Sequence, residues 1–181
     1  MIIVMGLPGA GKSTVLQVAS DAGWKVLNYG TLMFEIASKE YGIADRDMLR
    51  KLPSQKQKKV QEKVGKMLSA EKERKVILDT HCSINTPKGY LPGLPFLLLK
   101  DLPVERLVLL TAPVAHILAR RKKDASRVRD EQGADSLKEH DEMNHYYLAT
   151  YSVVSGAPAV ILQNADGKLE EVKSKFASYL E

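Results

Sequence analysis

Apolar residues fall in two alternating rhythms along the chain. Five short β-rich runs, Ile2 to Met5, Lys25 to Asn28, Val76 to Leu78, Arg106 to Leu110 and Ala159 to Leu162, are nearly continuous in apolar residues. Unbroken apolar runs of this length read as strands buried on both faces of a parallel sheet. Between them apolar residues recur at helical spacing. Lys12 to Asp21 reads as a first helix with Gly23 as its stop. Val60, Val64, Met67 and Leu68 form one apolar stripe on a segment otherwise rich in lysine and glutamine. Pro113 takes a first helical position ahead of Ile117 and Leu118. Ser136 and Glu139 have capping-box spacing before a long helix towards Ser155, which Gly156 and Pro158 end. Leu169, Val172, Phe176 and Leu180 mark a last amphipathic helix. Strands alternating with helices require right-handed crossovers, so the pattern predicts a doubly wound α/β sheet. Ligands of such sheets bind beyond the carboxyl ends of the strands, and each motif below falls at such an end.

Composition narrows this little further. The 181 residues suffice for one buried core, and no repeat, low-complexity block or linker divides residues 1–181. A 44% hydrophobic and 27% charged composition excludes a disordered chain. The formal charge of +5 suits an anionic ligand and equally nucleic acid, so charge alone decides nothing. Cys82 is the only cysteine, which excludes an intrachain disulfide and a cysteine-rich metal site. No basic region precedes an apolar N-terminal segment, and no apolar run approaches the ~20 residues of a membrane span. The expected location is therefore the cytoplasm.

The strongest motif is GLPGAGKST, Gly6 to Thr14. Gly6, Gly11, Lys12 and Ser13 satisfy G-x-x-x-x-G-K-[ST] between a strand and a helix. The glycines let successive N–H groups of Leu7, Gly9, Ala10 and Gly11 turn inward around a phosphate, Pro8 having none to offer. The helix that follows adds its free N–H groups and the positive end of its dipole. In this reading Lys12 bridges the β- and γ-phosphates, Ser13 ligates Mg²⁺, and Thr14 donates to a nearer phosphate. In KVILDTH, Lys75 to His81, an apolar strand ends at Asp79, where phosphate-loop proteins place a carboxylate that holds Mg²⁺.

A phosphate loop fixes ATP or GTP binding and leaves the reaction open. No N-K-x-D motif occurs, which argues against a guanine switch, and a motor ATPase needs more chain. RRKKDASRVRD, Arg120 to Asp130, carries Arg120, Arg121, Arg127 and Arg129, which can gather around transferring phosphate oxygens from a lid spanning residues 120–134. Polar groups also collect around a second anion site: Gly30 and Thr31 after the second strand, Arg46 and Arg50 in DRDMLRKL, and Thr80 and His81 after the third. TPKGYLPGLP, Thr86 to Pro95 and including Tyr90, is too rich in proline and glycine for regular structure and reads as a shaped binding loop.

These stretches resemble one family. GLPGAGKST, NYGTLM (Asn28 to Met33), DRDMLRKL with the downstream QKQKK, DTH with TPKGYLPGLP, and SRVRD together are similar to the archaeal-type adenylate kinases over essentially the whole chain. The resemblance implies a five-stranded parallel sheet of the P-loop NTPase fold and the reaction ATP + AMP ⇌ 2 ADP with Mg²⁺. It further implies an AMP-binding helical region near residues 31–70, a short lid without zinc, and a homo-oligomer, a trimer. The chain departs from the family pattern at His145 and Asn85, where relatives carry arginine. Two other readings remain: a UMP- or CMP-type nucleoside monophosphate kinase, with the same chemistry and a different base pocket, and a nucleotide-dependent RNA- or ribosome-binding factor prompted by the basic surface. Lysines 56, 58, 59, 63 and 66 are more simply the wet face of a helix, so no nucleic-acid partner is expected.

Overall fold

Helices and strands alternate as the apolar rhythm requires. The computed structural model describes residues 1–123 and 133–181; the side chains of Asp47 and Arg50 also lie outside the described residues. Strand β1 (Ile2–Met5) leads into helix α1 (Lys12–Asp21), β2 (Lys25–Asn28), α2 (Tyr29–Tyr41), a 3₁₀ segment (Arg46–Lys51) and α3 (Ser54–Ser69). Next come β3 (Val76–Thr80), β4 (Ser83–Thr86), β5 (Gly89–Pro92), α4 (Phe96–Leu99) and β6 (Arg106–Thr111). Helices α5 (Val114–Lys123) and α6 (Ala134–Ser155), strand β7 (Ala159–Gln163) and α7 (Leu169–Ala177) complete the described elements. No described helix is long and apolar enough to cross a membrane.

The main sheet has five parallel strands in the order β2-β3-β1-β6-β7. Successive β1 residues serve opposite faces, as the strand period dictates. Ile3 and Met5 join a cluster with Leu32, Val64, Leu68, Leu98 and Leu148 on the face of α2, α3, α4 and α6. Ile2 and Val4 join Val15, Leu16, Val172 and Phe176 on the face of α1 and α7. The register pairs Asp79 with both Val4 and Asn28. The carboxyl ends of β1, β2 and β3 therefore meet along one line, which positions everything described below.

Four sequence expectations are corrected. The two edge strands, β2 and β7, are only partly buried, because each has a neighbour on one side alone. On α3 the buried stripe is Val60, Val64 and Leu68 at i, i+4 and i+8; Met67 lies beside it and is 51% exposed. Helix α6 begins at Ala134 with Gly133 as its N-cap and no side-chain cap, so Ser136 sits inside the first turn. The stretch TPKGYLPGLP is not irregular. Its first part forms an antiparallel hairpin, β4–β5, in which Thr86 pairs with Gly89 across a Pro87-Lys88 turn. Proline at the first turn position and glycine at φ 107 after it are the turn chemistry itself.

The hairpin is pinned to the body. Tyr147 Oη donates to the Tyr90 carbonyl (2.8 Å), Tyr151 Oη to the Cys82 carbonyl (2.7 Å), and Ser83 Oγ to Asn144 Oδ1 (2.6 Å). At its base the Gly93 N–H donates to the Cys82 carbonyl (2.9 Å), and a β-carbon on Gly93 would stand 1.8 Å from the His81 carbonyl oxygen. Both partners are backbone, so neither can swing aside. Gly93→Ala is expected to cost about 3 kcal/mol, a fall of roughly 10 °C in melting midpoint for a chain of this size. A melting curve superimposable on the parent's would show that the two chain segments do not approach as described.

Candidate active site

The phosphate loop is built by close backbone approach. A β-carbon on Gly6 would lie 2.2 Å from the Leu110 carbonyl oxygen, and Gly11 takes φ 92 against the side chain of Asn164. Lys12, the first residue of α1, folds back so that Nζ donates to the Gly6 carbonyl at 2.8 Å. The same ammonium stands 3.9 Å from Asp79 Oδ1. Ser13 and Thr14 occupy the first turn of α1 and are exposed, as ligands of a bound polyphosphate should be.

Supports reach the loop from distant parts of the chain. Asn164, 3% exposed, donates from Nδ2 to the Ala10 carbonyl (2.9 Å), while its own N–H donates to the Thr111 carbonyl (2.8 Å). Arg121 Nε donates to the Pro8 carbonyl (2.8 Å). Arg120 Nη2 donates to the Asn164 carbonyl (3.0 Å) and to Asp166, and its hydrogen bond holds the Asp166 carboxyl below the usual carboxylate range. Arg120 and Arg121, expected around a transferring phosphate, thus lie against the loop backbone. Arg127 and Arg129, with most of the 120–134 lid segment, lie outside the described residues, as does the side chain of Arg50.

The polar residues expected around a second anion site, Gly30, Thr31 and Arg46, gather at the start of α2. Asn28, at the end of β2, caps this helix: its Oδ1 accepts from Thr31 N (2.9 Å) and Thr31 Oγ1 (3.1 Å). Such a cap contributes ~1 kcal/mol. Arg46 reaches in from the 3₁₀ segment and donates from Nη2 to Thr31 Oγ1 (2.6 Å) and Asn28 Oδ1 (3.0 Å). It also overlies Gly30, where a β-carbon would come within 3.3 Å of Nη2. Thr80 is buried in β3 and His81 is exposed just after it.

Tyr90 belongs to a different neighbourhood. Its ring lies 5.1 Å from that of His140, and burial raises the pKa of the phenol. His140 Nε2 contacts the Ser83 carbonyl at 3.2 Å, which makes Nε2 the protonated nitrogen, and burial lowers the imidazole's pKa. Burial pushes the Cys82 thiol up to about 12, so it is no nucleophile at neutral pH. His145 contacts the Asp141 carbonyl on its own helix at 2.8 Å, and Asn85 is exposed in β4.

Among the described residues no three His, Cys, Asp or Glu side chains gather to hold a metal. Magnesium does not require such a group. It takes one or two protein oxygens and completes its shell with phosphate and water. Asp79 fits that use: Oδ2 is occupied by Asn28, whereas Oδ1 is buried with no hydrogen-bond partner.

Asn28 and Asn164 were not singled out as site residues from sequence. Asn28 carried a readable signal, an asparagine directly before a helix with threonine three residues on. Asn164 carried none, because its contact with Ala10 spans 154 positions.

The family described as an AAA domain matches residues 5–138, and the chain belongs to it. A shikimate kinase from Acinetobacter baumannii in complex with shikimate shares the fold, with TM-score 0.61 and 19% identity over 99% of this chain and 91% of that one. A gluconokinase from Sinorhizobium meliloti follows at TM-score 0.53 and 18% identity, over 99% and 90%. Much more similar in sequence are adenylate kinases from Thermoplasma volcanium, 44% identical over 96% of both chains, and Methanocaldococcus jannaschii, 39% identical over 99% of this chain and 97% of that one. With this degree of identity along nearly the full length of both partners, the chain belongs to the adenylate kinase family.

Proposed function

We infer that the chain transfers the γ-phosphoryl group of ATP reversibly to AMP, giving two ADP. One observation carries the reading: the phosphate-loop lysine faces Asp79, and Asp79 is joined through Asn28 to Arg46, so two anion sites share one strand edge. In the mechanism, Lys12 and the N–H groups of Leu7 to Thr14, Pro8 excepted, hold the ATP phosphates. Arg46 and Arg50 receive the AMP phosphate, with Gly30, Thr31, Thr80 and His81 lining the acceptor region around residues 31–70. An oxygen of that phosphate attacks the γ-phosphorus. The bond to the β,γ-bridging oxygen breaks, and ADP leaves with the electron pair. The attacking oxygen is already anionic, so no general base is needed, and catalysis is alignment plus electrostatics. Ser13 and Asp79 would hold Mg²⁺, which supplies neutralisation of charge on the phosphate oxygens. Arg127 and Arg129, in a zinc-free lid of residues 120–134, offset the charge that develops on the transferring group and help exclude water, while Arg120 and Arg121, at the start of that segment, brace the phosphate loop through the Asn164 and Pro8 carbonyls.

The family resemblance supports a trimer, and the cytoplasm remains the location expected from the sequence. The test of the reaction is ADP production from ATP with AMP, UMP, CMP and GMP assayed in parallel. AMP is expected to be the preferred acceptor. A preference for UMP or CMP would retain the chemistry and reassign the base pocket; no ADP with any acceptor would end the reading. The alternative RNA-binding role predicts affinity that falls steeply with salt and no acceptor-dependent turnover.

A further inference from the structure

One side-chain amide joins Asp79 to Arg46. Asn28 Nδ2 donates to Asp79 Oδ2 at 2.7 Å, while Asn28 Oδ1 accepts from Thr31 N, Thr31 Oγ1 and Arg46 Nη2 at 2.9, 3.1 and 3.0 Å. The orientation of the amide is forced. A carboxylate can only accept, and a backbone N–H and a guanidinium can only donate, so the reverse orientation would set like against like at both ends. The parallel register places Asn28 directly beside Asp79 on the neighbouring strand, within reach of so short a side chain.

The two contacts have opposite consequences. By occupying Oδ2, Asn28 fixes the carboxylate so that Oδ1 is the oxygen left near Lys12, at 3.9 Å. By accepting from Arg46, it ties a guanidinium carried on a 3₁₀ segment outside the sheet to the sheet itself. We propose that Asn28 is a positioning residue that couples the arginine of the acceptor site to the carboxylate of the donor site and so sets the separation of the two phosphates. The proposal rests on the function inferred above and adds to it a residue and a role. In-line transfer tolerates little error in that separation, since a displacement of ~1 Å can cost ~10²-fold in rate.

A helix cap alone would also explain an asparagine here, and the substitution Asn28→Ser separates the two roles. Serine caps helices as well as asparagine does. With a single oxygen one atom closer to the backbone, it cannot donate to Asp79 while accepting from Thr31 and Arg46. The expected result is a melting midpoint within a few degrees of the parent, AMP affinity weakened about 10-fold by calorimetry in metal-free buffer, and a turnover number lowered about 10- to 100-fold. The KM for MgATP should change less than about 3-fold, because the phosphate loop is untouched. Asn28→Thr keeps a capping oxygen of the same short reach and likewise cannot span Asp79 and Arg46; it carries the same test should the serine variant not fold. Parental AMP affinity and turnover in either folded variant would reduce Asn28 to a cap and overturn the proposal, with the reaction itself intact. A parent protein that neither binds AMP nor forms ADP would overturn both.

Discussion

Lys12→Met is expected to abolish ADP formation, with a loss of turnover of about 10³-fold or more, while the protein stays folded. The magnitude follows from what the side chain does in the phosphate loop. Charge accumulates on the β- and γ-oxygens as the phosphoryl group moves, and an ammonium already held in place meets it with little reorganisation. The structure shows such an ammonium restrained in advance, through the Gly6 carbonyl at 2.8 Å and within 3.9 Å of Asp79. The methionine chain is of similar length and keeps the contacts of the stem, so the glycine turns and helix α1 should survive. The melting midpoint should move by no more than a few degrees, since the lost bond is partly exposed and worth about 1 kcal/mol. Parental rates of ADP formation by a folded Lys12→Met variant would remove the central assignment.

How far the sequence carried the reading depended on range. The phosphate loop, β1 and α1 were legible to the residue, because glycine spacing, an apolar run and a helical stripe are local signals that agree. Strand identity was legible at the edges of the sheet too, but edge burial was not: an apolar run does not say whether a second neighbour exists, and β2 and β7 have one each. The hairpin was misread for the opposite reason. Pro87, Gly89 and Pro92 signal irregularity when counted and a turn between paired strands when placed. The site was half legible. Arg46, Gly30 and Thr31 converge as their motifs imply. What joins them to Asp79, and what braces the loop from Asn164, are pairings across 51 and 154 positions, which no local pattern encodes. His145, noted as a departure, is engaged with its own helix backbone, a contact its position in MNHYY does not announce.

Asp79→Asn is expected to lower turnover about 10²-fold and raise the Mg²⁺ concentration needed for half-maximal rate, without loss of stability. The substitution changes charge and almost nothing of shape. Its amide oxygen can still accept from Asn28 Nδ2, so the network to Arg46 is retained. AMP binding in metal-free buffer should accordingly stay within about 2-fold of the parent, in contrast to the variants at Asn28. What is lost is a full negative charge beside Lys12, at the oxygen proposed to face Mg²⁺, and a hard metal favours an anionic oxygen over a neutral one. Stability argues the same way. Oδ1 of Asp79 is buried without a hydrogen-bond partner, a configuration that costs about 1–3 kcal/mol in the folded protein. The substitution removes the buried charge but sets an equally unpartnered amide N–H₂ beside the Lys12 ammonium, so gain and loss nearly offset and the melting midpoint should hold within a few degrees. A variant that melts well below the parent would mean that Asp79 is there to hold the fold. Unchanged turnover and unchanged Mg²⁺ dependence would mean that its free oxygen faces no cation during transfer.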